Sequence, residues 1–450
     1  MKTKKEKIER RRFLKGTAMV AGSMMVSGLP IESTAFVNPA EKEIKLALIG
    51  CGGRGTGAAM QALLTKENVK LVAMADIFRD RLDDSYRALT ADEVSDWSGA
   101  SGNIKAKVVV TEEMKFIGFD AYKKAIAEAD VVILTTPPGF RPYHLEEAIN
   151  QNKHVFAEKP LATDAAGVRK LFELVKLADD KKLNVVIGLQ KHFNSKYKEI
   201  MKRVHDGMIG DIVSGQVYYN SEGVWMKERK PEYTEMEYQM RNWYYFTWLC
   251  GDQIVEQHIH NIDAFNWAKQ SYPISAQGMG GRQVRTGKEY GEIFDHHYVE
   301  YSFEDGSLMN SQCRHIKGCM NKVAEKIIGT KGIVELQGNK GIISDYKGNV
   351  IYNHRSNDDP SPFQVEHDEL FAAVGNGEVI NNFRNGVEST LTTILGRYAT
   401  YSGQQVTRDE VLNSSIQLMP STVDWDDTPP VLPDKNGYYS IPSPGVYKII

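Results

Sequence analysis

The apolar run Ile44-Lys45-Leu46-Ala47-Leu48-Ile49 ends directly on Gly50-Cys51-Gly52-Gly53-Arg54-Gly55, and a helix-like stretch over 56–65 follows. A strand that turns through spaced glycines into a helix restricts the fold more than any other feature of this chain. Glycine lets the backbone make the tight turn, approach a pyrophosphate and pack helix on strand. The next buried run, 69–75, ends at Asp76, 21 residues beyond Gly55. Strand, glycine turn, helix, strand and acid together open a doubly wound sheet that binds a dinucleotide. A carboxylate at Asp76 accepts hydrogen bonds from an adenine-ribose diol and repels a 2′-phosphate, which favours NAD over NADP. Arg79 and Arg81 are the side chains within reach of such a phosphate.

Further apolar runs alternate with helices. The run 129–134 ends at Thr135-Thr136-Pro137, and 154–157 ends at Glu158-Lys159-Pro160. A helix over 165–179 precedes a last run over 185–188. This alternation gives a parallel sheet whose ligands sit at the carboxyl ends of the strands. The candidate cofactor contacts are therefore Gly50, Gly52, Gly53, Arg54, Gly55, Asp76, Thr135, Thr136, Pro137, Glu158 and Lys159. After residue 190 the texture changes. Runs over 213–219, 297–303, 308–313, 324–328 and 333–336 read as strands without intervening helices, and 304–307 and 329–332 read as hairpin turns. Helical periodicity returns at 364–374 and 387–401.

The expected fold class is α/β. An N-terminal Rossmann doubly wound parallel sheet spans 44–190, and a C-terminal α+β domain with a large, mostly antiparallel open sheet spans 191–415. A Pro-rich tail over 416–450 is expected to wrap the surface or a neighbouring subunit.

The first 35 residues read as a leader. A basic stretch over 2–12 precedes an apolar run over 17–29 and the small residues Ser33-Thr34-Ala35. Arg10-Arg11-Arg12-Phe13-Leu14-Lys15 resembles a twin-arginine export signal, so export to the periplasm or beyond is expected, with 36–43 as linker. A net charge of -3 gives no basis for a nucleic-acid partner. Beyond the leader no apolar run reaches about 18 residues, so no stable membrane insertion is expected. Four cysteines, unevenly spaced, do not make a disulfide scaffold or a zinc site, although a Cys313–Cys319 bridge is conceivable.

Glu158-Lys159-Pro160, together with Gly251-Asp252-x-x-x-Glu256-Gln257-His258-x-His260-x-x-Asp263, resembles the glucose–fructose oxidoreductase / inositol dehydrogenase / MocA family over about residues 44–405. Gly188-Leu189-Gln190-Lys191-His192 resembles an exported branch of it. The resemblance implies an NAD-dependent oxidation of a carbohydrate hydroxyl and a homo-oligomer, dimer or tetramer. It also implies that Lys159 contacts the reacting hydroxyl and that His260 is the general base. Glu256 stands where the family usually has Asp, and His258 where most members have glycine.

On a continuous helix over 253–267, Glu256 and His260 share a face, with Asp263 one turn on. A carboxylate beside an imidazole raises its pKa and sets its tautomer. Lys159 adds positive charge where an alkoxide develops. The catalytic candidates are thus Lys159, His260 and Glu256, and the substrate candidates Lys191, His258, Asp263 and Trp243. Trp225, Trp243 and Trp248 either stack on sugar faces or anchor a loop. Histidines two apart on a helix do not face one ion, so no metal is assigned. Because an exported enzyme meets no free NAD pool, the cofactor is expected to be tightly held. Net oxidation is the first reading, a redox-neutral glycoside hydrolase or lyase working through a transient keto-sugar the second, and a non-catalytic sugar- and NAD-binding protein the third.

Overall fold

The computed structural model describes residues 43–355 and 358–449. The expected leader, and the expected linker apart from Glu43, lie outside the described residues. Six strands, β1 (Ile44–Ile49), β2 (Val69–Asp76), β3 (Lys115–Ile117), β4 (Val131–Leu134), β5 (His154–Ala157) and β6 (Val185–Ile187), form a sheet in the order β3-β2-β1-β4-β5-β6. Every pairing is parallel. Helices cover both faces, which is why β4 and β6 are wholly buried and read as unbroken apolar runs. The strand order reverses between β1 and β4, and the carboxyl ends open there into a crevice. The edge strand β3, only three residues long, escapes sequence reading because it has no room to show a period.

The second sheet has nine strands: β7 (Ile212–Ser221), β8 (Ser275–Gly281), β9 (His296–Ser302), β10 (Leu308–His315), β11 (Lys322–Gly329), β12 (Ile333–Gln337), β13 (Lys340–Ser344), β14 (Val350–His354) and β15 (Val406–Thr407). Their order is β14-β13-β12-β11-β7-β10-β9-β8-β15, antiparallel throughout except for the parallel pair β7 and β10. The expected turns at 304–307 and 329–332 join β9 to β10 and β11 to β12.

Strand β8, Ser-Ala-Gln-Gly-Met-Gly-Gly, is not among the runs read as strands from the sequence. Its glycines answer a packing need: a Cβ on Gly278 would stand 2.4 Å from Tyr298 O and 3.1 Å from Thr400 Cγ2. Thr400 belongs to the long helix Phe383–Ser402, which packs against both β8 and the helix Ala165–Asp180. The helix Pro362–Asn376 packs on Gly53–Leu64 and so returns the C-terminal half of the chain to the glycine turn.

The continuous helix expected over 253–267 is broken. A short helix Gln253–Glu256 stops, and a second starts at Ile259 and runs to Lys269. No proline or glycine explains the break. At it, His258 Nε2 is hydrogen-bonded to Ser311 Oγ of β10 at 2.8 Å, and the buried side chain is anchored to the sheet. A tertiary contact here outweighs local helix preference. Among the described residues the tail beyond 414 carries no helix or strand and packs on the chain itself, with Leu418, Met419, Trp425 and Tyr439 in the aromatic cluster around Trp248. All four cysteines are unpaired, so Cys313 and Cys319 form no bridge.

Candidate functional site

Two cavities of about 430 and 480 Å³ share Arg54, Thr135, Thr136, Trp225 and Trp243 in their walls and form one cleft over the crevice. The first is built on the glycine turn. Gly50 has φ +96°, and a Cβ there would lie 2.8 Å from the backbone of Thr135 and Thr136. A Cβ on Gly55 would come within 1.9 Å of Gly50 O. Thr135 Oγ1 donates to Gly50 O at 2.6 Å and ties the turn to the end of β4. At Gly52 and Gly53, by contrast, a Cβ would meet nothing within 4 Å, and both residues line the cavity. Bare backbone at a helix N-terminus, facing an open cavity, fits a pyrophosphate. Gly52→Ala is therefore expected to leave the melting temperature unchanged while weakening NAD binding about tenfold or more, because the methyl projects into the ligand's space. Gly55→Ala should instead unfold the turn. Thermal unfolding and NAD titration of both variants check the contrast.

Asp76 also lines this cavity. Its Oδ2 accepts from Cys51 N at 2.7 Å and its Oδ1 from Phe78 N at 2.8 Å, and burial holds its pKa above the usual carboxylate range. The second lone pair on each oxygen remains for a ribose diol. Of the two arginines weighed against NAD, only Arg81 lines the cavity; Arg79 is turned to Asp83 (3.0 Å) and Glu112 (3.4 Å) on the surface. Pro137 lines the cavity beside Thr136, whose Oγ1 pairs with His144 Nδ1 at 3.1 Å.

Arg54 and Glu158, both expected at the cofactor, bind each other at 2.5 Å. Arg54 also donates to Gln61 Oε1 (2.9 Å) and to the buried Glu366 Oε1 (3.0 Å) of the returning helix. Gly188 leaves Glu158 its space, for a Cβ there would lie 2.9 Å from Glu158 Oε1.

The second cavity has Lys159, Glu256, His260, Gln190, Lys191 and Tyr244 in its wall. Lys159 Nζ donates to Glu256 Oε1 at 3.0 Å and to Glu256 O at 2.7 Å, and both side chains are nearly buried. Burial raises the pKa of Glu256 while Lys159 pulls it down, and the net shift is upward. The expected pairing of Glu256 with His260 does not form, because the helix breaks between them and the carboxylate goes to Lys159. His260 is not raised in pKa, as the sequence led one to expect. Burial first, and then the positive charges of Lys159 and Lys191, hold it well below 6.5, so the ring is neutral.

Two substrate candidates leave the cleft. His258 is fully buried against Ser311, and burial pushes its pKa down to about 3. Asp263 accepts from Ser389 Oγ, Asn385 Nδ2 and His192 Nε2, each at 2.8 Å, and pins the helix Ile259–Lys269 to Phe383–Ser402. Both of its oxygens are engaged inside the protein. Lys191 lines the cavity but is ion-paired to Glu325 of β11. Trp243 is in the wall, edge-on to Trp225 at 5.7 Å, whereas Trp248 is fully buried with its Nε1 on Gln239 Oε1 at 2.8 Å and serves as an anchor. Sequence reading missed Tyr219, Tyr244, Gln257, Trp97 and Phe363, which also line the cavity. They come from five separate segments that only the fold brings together.

Residues 44–189 match the model of an oxidoreductase family with an NAD-binding Rossmann fold. A glycosyl hydrolase family 109 protein of Shewanella pealeana is 21% identical over 81% of this chain and 80% of its own length. An inositol 2-dehydrogenase of Rubrobacter xylanophilus is 24% identical over 67% of this chain and 74% of its own. Among solved structures, an aldose-aldose oxidoreductase from Caulobacter crescentus superposes with a TM-score of 0.62 at 17% identity, over 81% of this chain and 100% of that one. A levoglucosan dehydrogenase in complex with NADH and levoglucosan gives 0.63 at 13% identity, over 81% and 99%. The two superpositions establish a shared fold.

Proposed function

We propose that this chain, whose residues 44–189 match the NAD-binding oxidoreductase family model and which resembles inositol dehydrogenases beyond them, is a member of the glucose–fructose oxidoreductase / inositol dehydrogenase / MocA family that oxidises a secondary hydroxyl of a sugar, cyclitol or glycoside with a tightly held NAD. One observation carries the reading. In the wall around Lys159, five buried polar atoms have no partner among the described residues: Arg141 Nε, Gln190 Oε1, Tyr244 OH, Glu256 Oε2 and His260 Nδ1. Buried polar groups are rarely left unpaired, and a ligand bearing several adjacent hydroxyls pairs such a set. Relatives named for inositol, and a fold neighbour solved with levoglucosan and NADH, act on or hold ligands of that kind.

NAD, when bound along the glycine turn, supplies the acceptor for the hydrogen that leaves the carbinol carbon with its electron pair. Neutral His260 takes the hydroxyl proton. Lys159 stabilises the negative charge that develops on the oxygen. That charge in turn relieves the unfavourable meeting of a protonated His260 with two lysines. Glu256 positions Lys159 and accepts a hydrogen bond from a neighbouring hydroxyl. Incubation with NAD and a panel of hexoses, inositols and their glycosides should yield a keto product lighter by one hydrogen pair; binding without any such product contradicts the proposal. The glycosyl hydrolase relative favours a second reading, cleavage through a transient ketone. In that case the glycoside splits and no net keto product accumulates.

Tight retention draws on the tail and the insertion over 221–252. Trp425 packs on Phe78 (5.3 Å) and Phe119 (4.9 Å), both in the wall of the first cavity. Leu418 N donates to Asp164 Oδ2 at 2.6 Å, and Gln239 of the insertion donates to Val431 O at 2.6 Å. Arg241 lies over Phe78 at 3.9 Å and pairs with Asp80 at 3.1 Å. Two segments thus close over the nucleotide end of the crevice. Trp425→Ala is expected to speed NAD release about tenfold, as the loss of aromatic packing implies. NAD content after purification and gel filtration measures it, and unchanged retention would count against the clamp. Export of the folded, cofactor-loaded chain and its assembly as a homo-oligomer are parts of the same proposal.

A further inference from the structure

Beside the polar set of Lys159, Glu256 and His260, the wall of the second cavity is aromatic, with contributions from distant parts of the chain. Trp97, in the loop following the helix Arg79–Leu89, meets Phe363 of the helix Pro362–Asn376 edge-on, with ring centroids 4.6 Å apart at 72°. Trp225 and Trp243 of the insertion meet at 5.7 Å and 62°. All four line one cavity, yet Trp97 is 69% exposed and Trp225 43% exposed.

The exposure of Trp97 is built in. Its neighbour Asp96 closes the loop by accepting from Ser98 N (2.8 Å) and Ala100 N (3.2 Å) through Oδ1. Through Oδ2 the same carboxylate accepts from Gln61 Nε2 at 2.7 Å, and Gln61 Oε1 accepts from Arg54 at 2.9 Å. Arg54 is held by Glu158 and Glu366 and lies 5.4 Å from the centre of the Phe363 ring. The loop is thereby wired to the glycine turn and to the Glu158-Lys159 strand end. Beyond these ring-to-ring contacts, much of the surface of Trp97 and Trp225 at the mouth of the polar-walled cavity is left uncovered by the described residues. The C–H face of a pyranose or the face of an aryl ring would cover it.

We infer that Trp97 and Phe363, with Trp225 and Trp243, form a second ring-binding subsite, and that the preferred substrate is a glycoside with a second ring on its anomeric oxygen. This rests on the reading of the polar wall as the site that oxidises the first ring. The five unpartnered polar atoms suit one hydroxylated ring, and a lone monosaccharide would leave the aromatic mouth wet.

The test compares the second-order rate constant of the first turnover, from the rise in reduced-nicotinamide absorbance of the NAD-loaded protein, for methyl, phenyl and glucosyl glycosides of the same hexose across a panel of hexoses and both anomers. In the native protein the ring-bearing forms are expected to exceed the methyl form about tenfold. Trp97→Ala should bring that ratio near one, and Trp97→Tyr should keep most of it. Preference for phenyl over glucosyl identifies the second ring as a planar aglycone, and the reverse as a sugar; either supports the subsite. Oxidation of methyl glycosides with no preference for a second ring, or a preference that Trp97→Ala leaves intact, overturns the subsite and leaves the oxidation standing. Absence of oxidation with every member of the panel contradicts the functional reading itself.

Discussion

Lys159→Met is expected to lower kcat by about 10²–10³-fold, the usual scale for losing one preorganised electrostatic stabiliser of a developing oxyanion. NAD binding should survive, because the glycine turn, Thr135 and Asp76 do not depend on this ammonium. Stability is the second readout. Lys159 and Glu256 lie 3.0 Å apart with side chains only 10% and 9% exposed. Removing one partner of such a pair costs about 3–5 kcal/mol, largely by stranding the other charge. Glu256, already raised in pKa by burial, would take up a proton instead and so limit the loss. Adding Glu256→Gln to Lys159→Met should therefore restore much of the melting temperature and none of the activity. Recovery of activity with stability would mean that Lys159 is a structural residue.

His260→Gln should lower kcat about 10²–10⁴-fold, as loss of a general base does. Its pH signature separates this arrangement from the one expected on a continuous helix. A histidine paired with Glu256 would titrate above 6.5 and impose a loss of activity just below neutrality. The observed His260 is held well below 6.5 by burial, Lys159 and Lys191, so its proton-accepting form persists as pH falls through 6.5. The pH profile of kcat/KM for the native protein should be flat through that region, with the acid limb displaced to lower pH. Lys191→Met removes one of the two cations and should move the limb upward. An acid limb centred at or above 6.5 in the native protein would show that Glu256 pairs with the imidazole and not with Lys159.

The glycine turn and the Glu158-Lys159-Pro160 strand end could be read from the chain because each is local. Their backbone demands fall on residues a few positions apart, and Gly50 and Gly55 meet them in the structure as their spacing suggests. The site around Lys159 was legible only in membership. Lys159, Glu256 and His260 share one cavity wall, but who pairs with whom depends on a helix break at His258 caused by Ser311, 53 residues away. Asp263 sits at helix spacing from His260 and His258 two residues before it, yet Asp263 is claimed by Ser389 and Asn385 and His258 by Ser311 of β10. Strand β8 was missed for a related reason: its glycines are demanded by the close approach of β9 and, at Gly278 and Gly280, also by Thr400 of a helix more than 100 residues on. Glu366, which neutralises Arg54 across a separation of 312 residues, has no local signal at all.

Rapid mixing of the NAD-loaded protein with an accepted glycoside, followed at the reduced-nicotinamide band, tests the central claim most directly. The cleft predicts a first-turnover rise in absorbance that approaches one equivalent of bound cofactor, and a rise slowed by orders of magnitude in His260→Gln. Saturable glycoside binding with no absorbance rise, or an equal rise in His260→Gln, would contradict it.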